Sequence, residues 1–202
     1  MSDKPWKRLE REVAKFFGTT RRLRGNDFSK SDIEVIASLK DAQILHNCSL
    51  ESQFGIAVEC KYRKSQPLVS IYSSYCFTKK QKKKNSTLVF MGDYYLCDLY
   101  SFKDAYYFFE EIYRRLDSPV RSELPLFFNK NYGFDLVYSD KAIPDYLDEY
   151  YAQASSYLSK CKEDGLVSVL PLVCLGQANK KQKIIIGKVS DLDSFFSAMN
   201  DH

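Results

Sequence analysis

The sequence contains few of the residues on which several common kinds of site depend. Only two of its 202 residues are histidine, His46 and His202, and they lie far apart in the chain. Its six cysteines are widely spaced and include no Cys-x-x-Cys pair. A histidine-based catalytic site and a zinc module are therefore not expected, because each needs several such ligands close together.

Long apolar runs are also absent. No apolar segment approaches the length of a membrane span, and the first residues contain no apolar stretch typical of a signal peptide. We therefore expect an intracellular protein that is neither secreted nor bound to a membrane. A hydrophobic content of 45% with 28% charged residues is typical of a globular chain, and the length suits a single domain.

The net charge of +4 is modest and does not by itself indicate nucleic-acid binding. Two local runs of basic residues are more informative, and each is compatible with a solvated loop or helix end. If a metal site that acts on nucleic acid lies close to them, both runs would be expected to contact phosphates. The runs contain Arg21, Arg22 and Arg24, and Lys79, Lys80, Lys82, Lys83 and Lys84.

Two predicted strands carry acids in an alternating pattern. Segment 54–62 has an apolar residue at every second position, so Glu59 and Lys61 share the opposite face, about 7 Å apart along the backbone. Segment 32–38 alternates in the same way and begins with Asp32. These charges fit the solvent faces of two half-exposed strands. They also fit a site that holds a divalent metal beside a phosphodiester.

A third candidate acid lies on a helix predicted over residues 3–17. Glu10 falls at the margin of the apolar stripe of this helix, whereas Glu12 neighbours basic residues on the outer face. Because an acid beside an apolar stripe is costly unless a nearby group needs it, Glu10 is the better functional candidate.

The rest of the chain alternates between helical and strand-like patterns. We predict helices over 69–84, from 101 to 116, over 143–162 and from 190 onward, and strands over 42–46, 87–92, 94–98, 134–138, 167–175 and 183–189. Tyrosines on the 143–162 helix, including Tyr150 and Tyr151, could form a dimer contact.

The order of helix acid, strand acid and acid-x-lysine strand resembles the PD-(D/E)xK nuclease superfamily and, within it, the archaeal Holliday junction resolvases. The matching segments are 9–13, 32–33 and 58–61, and the likeness covers roughly residues 1–90. Where the family often has a proline before its aspartate, this chain has Ser31. Intracellular disulfides are known in hyperthermophiles, so six cysteines would also suit a nuclease of an archaeal virus, acting in the cytoplasm of the host cell.

The resemblance implies a restriction-endonuclease-like α/β fold: a PD-(D/E)xK core with a central mixed β-sheet flanked by helices, and an elaborated C-terminal half. Residues 1–202 would form one domain, with 1–116 as the catalytic core and 117–202 as its extension or completion. The implied cofactor is Mg²⁺ or Mn²⁺, bound by Asp32, Glu59 and the main-chain carbonyl of Cys60, and by Glu10 directly or through water. Lys61 would orient the attacking water and offset negative charge in the transition state.

The resemblance further implies a structure-selective endonuclease that cuts branched or duplex DNA as a homodimer and leaves a 5′-phosphate and a 3′-hydroxyl. The alternative is a non-catalytic DNA-binding or assembly protein on the same scaffold. Retention of all four polar residues, Glu10, Asp32, Glu59 and Lys61, favours the enzyme.

Overall fold

The computed structural model describes residues 4–18, 33–35, 54–78, 86–115, 134–156 and 168–201. Its helices are α1 (Pro5–Phe16), α2 (Pro67–Thr78), α3 (Phe102–Arg115), α4 (Asp145–Ser155) and α5 (Val189–Asn200), and a 3-10 turn (Leu99–Ser101) precedes α3. Its strands are β1 (Ile33–Val35), β2 (Phe54–Arg63), β3 (Ser86–Met91), β4 (Tyr94–Asp98), β5 (Phe134–Ser139), β6 (Ser168–Gln177) and β7 (Lys183–Lys188).

The strands form one mixed sheet in the order β1-β2-β6-β7-β4-β3-β5. β2 pairs in parallel with β6 and β3 with β5, whereas the other neighbours are antiparallel. The predicted α/β class with a mixed sheet flanked by helices is confirmed. β6 and β7 lie between β2 and β4, so strands from the C-terminal half connect the two N-terminal parts of the sheet.

Helices cover both faces of the sheet. α1, α3 and α5 pack on one face, here called the α1 face, together with Ile56, Val58 and Cys60 of β2. α2 and α4 pack on the other, here called the α4 face, where their apolar residues meet those of β6 and β7. Because successive strand residues point to opposite faces, Glu59 and Lys61 belong to the α4 face.

Local sequence explains several element boundaries. Pro5 occupies the first turn of α1, where its missing N–H is not needed. Gly18 follows the helix with φ of 70°, and Gly92 turns the β3–β4 hairpin with φ of 58°, both in the left-handed region that glycine adopts without strain. Pro171 lies in β6 before the stretch from Val173 to Gly176 where β7 pairs with that strand, so β6 is not paired on both sides there.

Most predicted elements are confirmed close to their expected bounds. The exception is the helix predicted over 143–162, because α4 ends at Ser155. There the backbone N–H of Ser156 donates to the carbonyls of Ala152 and Gln153 and closes the last turn. α2 begins at Pro67 and is described to Thr78. The predicted strand over 42–46 lies outside the described residues.

Candidate active site

Glu59 and Lys61 form an ion pair on β2, with 2.7 Å between Lys61 Nζ and Glu59 Oε1. The Glu59 side chain is 8% exposed and that of Lys61 is 18% exposed. Glu59 lies opposite Val173 of β6, and its low exposure shows that the carboxylate is buried on the α4 face rather than solvated. A carboxylate in that position needs a compensating cation, and Lys61 provides one. The predicted shared face of the two side chains is confirmed.

Lys61 is held from the other side by α4. Its Nζ donates a hydrogen bond to Oε1 of Gln153 and lies 5.3 Å from the centre of the Tyr150 ring. Gln153 and Tyr150 are three residues apart and therefore share one side of the helix. Gln153 was not predicted from the sequence, and Tyr150 was predicted only as a dimer contact. Their spacing on the helix follows from the sequence, but no local pattern links this helix to β2. Lys61 and Gln153, which form the hydrogen bond, are 92 residues apart in the chain.

Tyr150 also contacts the next cation on the same face of β2. Arg63 Nε donates to the Tyr150 hydroxyl at 3.4 Å. This hydrogen bond raises the pKa of Arg63 above its ordinary value, so the guanidinium is a permanent cation beside the Glu59–Lys61 pair. Arg63 is exposed and can reach a ligand in solvent.

Two tyrosines of α4 are part of the hydrophobic core. Tyr150 and Tyr151 are 7% and 2% exposed and pack in the core of the α4 face. These two residues are therefore not available for the dimer contact considered from the sequence.

Glu10 is buried on α1, at 5% exposure, whereas the Glu12 side chain is 27% exposed and pairs with Lys183. The predicted contrast between the two acids is confirmed. α1 packs on the α1 face, however, so the sheet separates this helix from the face that bears Glu59. The role of Glu10 at a metal shared with Glu59 stays a prediction.

β1 pairs with β2 in an antiparallel register that sets Ile33 opposite Val58 and Val35 opposite Ile56. On the other side, β6 pairs with β2 along residues 54–63. Among the described residues, the part of β2 beyond Val58 is therefore paired on one side only. This part contains Glu59, Cys60 and Lys61. The predicted ligand Asp32 precedes β1 and lies outside the described residues.

The described residues include some of the oxygen donors that a Mg²⁺ site would need. Glu59 and the neighbouring carbonyl of Cys60 are hard oxygen donors of the kind that Mg²⁺ prefers. The thiols of Cys76, Cys97 and Cys174 are free, and the side chain of Cys60 is buried on the α1 face. In the described ranges no three His, Cys, Asp or Glu residues come together to hold a metal. The fit to Mg²⁺ is therefore incomplete without a further carboxylate.

Both basic runs predicted to contact phosphates lie outside the described ranges. These residues are Arg21, Arg22, Arg24, Lys79, Lys80, Lys82, Lys83 and Lys84.

No family model, curated protein or solved structure matches the chain. Within the part of the chain that the structure describes, every helix is too short or too polar to cross a membrane. Function has to be inferred from the residues and their positions.

Proposed function

We propose that this protein is a metal-dependent DNA endonuclease with a PD-(D/E)xK core, acting on branched or duplex DNA as a homodimer. The observation that carries the proposal is the register of β1 against β2, with Ile33 opposite Val58. One further step of this register would pair Asp32 with Glu59. Residues directly opposite in an antiparallel pair share a face, with Cβ atoms about 4.5–5.5 Å apart. Asp32 would then join Glu59 and Lys61 on the α4 face.

This arrangement gives each residue a distinct task. Asp32, Glu59 and the carbonyl of Cys60 would hold Mg²⁺ or Mn²⁺, and Glu10 would reach the ion directly or through water, as in the family that the motif resembles. When bound, the metal supplies charge neutralisation at the phosphoryl group and activates water for attack. A homodimer would place two such sites on a two-fold symmetric substrate.

Lys61 is suited to orient the nucleophile. An ammonium group has three N–H donors, and Glu59 and Gln153 accept two of them. The third is directed by these contacts and can donate to a phosphate oxygen or to the attacking water. Because Gln153 and Tyr150 already hold the ammonium group, little reorganisation is needed when charge develops in the transition state.

The test is incubation of four-way junction, linear duplex and single-stranded DNA with Mg²⁺, Mn²⁺ or EDTA. We expect metal-dependent cleavage that leaves 5′-phosphate and 3′-hydroxyl ends. Glu59→Gln and Lys61→Met should each lower the cleavage rate by at least about 100-fold while DNA binding persists. Glu149→Gln and Lys141→Met make the same chemical changes at exposed positions outside the site and should leave the rate unchanged.

Unchanged cleavage in Glu59→Gln and Lys61→Met would refute the assignment. Binding without cutting under every metal condition would identify the non-catalytic alternative. Asp32→Asn tests the register argument, because a full rate in that variant would show that Asp32 does not share the site with Glu59. Glu10→Gln tests in the same way the role inferred from the family.

A further inference from the structure

A cavity of about 230 Å³ lies where β2 and β6 end, beside the first turn of α1. Leu9 and Tyr62 form its apolar wall, and Glu12 is the acid that lines it. Since Leu9 and Tyr62 pack on the α1 face, the cavity is on the opposite side of β2 from Glu59 and Lys61. Four cations line the cavity: Arg8, Lys180, Lys181 and Lys183.

The charge of the cavity is not balanced from within. Glu12 is compensated, because it pairs with Lys183 at 2.8 Å and also accepts a hydrogen bond from a tyrosine hydroxyl. Arg8, Lys180 and Lys181 are exposed and make no ion pair with any residue of the described ranges. The side chain of Lys4, the N-cap residue of α1, makes no capping hydrogen bond, and the first turn contains no acid, so the positive end of the helix dipole adds to the potential.

The rim of the cavity is fixed by contacts among three elements. The N–H of Ala178, in the β6–β7 turn, donates to the carbonyl of Arg63 at 3.0 Å and ties the turn to β2. Lys183 Nζ donates to the carbonyl of Lys181 at 3.0 Å and pairs with Glu12, which ties the turn to α1. These contacts fix the backbone that carries Lys180 and Lys181, and their exposed side chains can turn toward an anion at the mouth of the cavity.

The size and charge of the cavity select a small oxyanion. Its volume of about 230 Å³ is below the roughly 300–1,000 Å³ of pockets that enclose drug-sized molecules. A guanidinium, ammonium groups and a helix N-terminus are the donors that proteins use for phosphate. The cavity and the candidate site are close together in the chain, since Tyr62 follows Lys61 and the exposed Arg63 and Lys64 come next at the end of β2.

We propose that this cavity binds one backbone phosphate of a DNA strand that passes around the end of β2 from the Glu59–Lys61 pair. The choice of DNA as the carrier of the phosphate rests on the proposed function. A strand cut at Lys61 would be held a short distance from the scissile bond, on the α1 face of the sheet. The cavity would thereby orient the strand and bind equally well when no cleavage occurs.

The test is fluorescence anisotropy of labelled duplex and four-way junction DNA in EDTA, over a series of salt concentrations. Arg8→Gln and Lys181→Gln should each weaken binding by about 3- to 10-fold at moderate salt. Because both residues act on a single phosphate, the double variant should lower the slope of log affinity against log salt by about one and no more. Lys141→Gln removes one exposed charge beyond β5, the far edge strand, and should change neither value.

A second measurement identifies the bound group. Inorganic phosphate should displace DNA from the wild-type protein more strongly than chloride at equal ionic strength, and the double variant should lose this difference. Circular dichroism and thermal unfolding check that the variants are folded, which we expect because both side chains are exposed.

The outcomes separate this proposal from the nuclease assignment. If the wild-type protein cuts DNA but Arg8→Gln and Lys181→Gln bind like Lys141→Gln, the phosphate cavity is wrong and the nuclease stands. If these variants lose affinity in a protein that cuts no substrate with any metal, the phosphate-binding role of the cavity is supported and the nuclease assignment is wrong. A wild-type protein that binds no DNA overturns the cavity proposal as well.

Discussion

Raising the pH should unfold this protein in a single alkaline step, because several tyrosine hydroxyls are deeply buried. Tyr72, Tyr95, Tyr113 and Tyr151 are each at most 6% exposed. Burial is the largest cause that raises the pKa of each phenol above its ordinary value of 10.0. The nearby carboxylates of Asp193 and Asp191 raise the pKa of Tyr113 and Tyr151 further.

The sign and size of the effect follow from proton linkage. A pKa raised in the folded state contributes stability that is fully present below the unfolded pKa, near 10.0, and is lost as the pH rises toward the folded pKa. Between these two pKa values, unfolding releases one proton per buried phenol, and the unfolding free energy falls by about 1.4 kcal/mol per pH unit for each group. Four such phenols together lower the unfolding free energy by about 6 kcal/mol by about pH 11. This loss is comparable to the whole unfolding free energy of a typical domain, about 5–15 kcal/mol.

The assay is a pH titration followed by tyrosinate absorbance and far-ultraviolet circular dichroism. Part of the tyrosinate signal should appear in the same cooperative step as the loss of helical signal. Tyr95→Phe removes one buried phenol and should move the midpoint to higher pH, whereas Tyr138→Phe, at a residue 50% exposed, should not. If every tyrosine titrates smoothly near pH 10 and the fold is still intact about two pH units higher, buried phenols do not limit the alkaline stability of this protein.

Five further outcomes are expected. Tyr95→Phe should leave the unfolding free energy in urea unchanged or raise it by about 1 kcal/mol, because its buried hydroxyl has no hydrogen-bond partner among the described residues. Tyr151→Phe should lower it by about 1–3 kcal/mol, since that hydroxyl bonds two backbone groups and a carboxylate; equal effects of the two changes would contradict this contrast. Gly187→Ala should cost at least about 2 kcal/mol, because the added Cβ would overlap the Tyr95 ring, and an unchanged urea midpoint would disprove the overlap. Gln153→Leu should slow cleavage about tenfold with DNA affinity retained, as expected for loss of a hydrogen bond to a charged group; a parallel fall in affinity would argue against a role in positioning. A chain ending after residue 116 should give no cooperative unfolding transition, because it lacks β6 and β7.

Local pattern was sufficient to predict most of the elements but not their arrangement. The apolar spacing of α1, the alternation of β2 and the glycine of the β3–β4 turn are each encoded within a few residues, and the structure confirms those elements. The position of β6 beside β2 was not predictable in this way. It depends on a parallel pairing between residues 54–63 and 168–177, a choice made by packing across the whole sheet.

In the candidate site, too, one feature was predictable from local sequence and another was not. The shared face of Glu59 and Lys61 follows from strand geometry, and their ion pair confirms it. The partners of Lys61 on α4 do not follow from any local rule. Gln153 has neither a motif nor a charge that distinguishes it from other polar residues on an amphipathic helix, and only the docking of α4 on β2 gives it a role.

The C-terminal half of the chain therefore bears on chemistry as well as on stability. β6 pairs with β2 along all ten residues of that strand, which fixes the backbone that carries Glu59. α4 then holds the ammonium group of Lys61 through Gln153 and Tyr150. If residues 1–116 contained every group that acts on the substrate, their position would still depend on residues 145–177. A lysine held only by its own carboxylate would sample more positions, and a nucleophile that it orients would be placed less often for attack. We therefore expect substitutions at the α4–β2 contact to lower the cleavage rate more than DNA affinity.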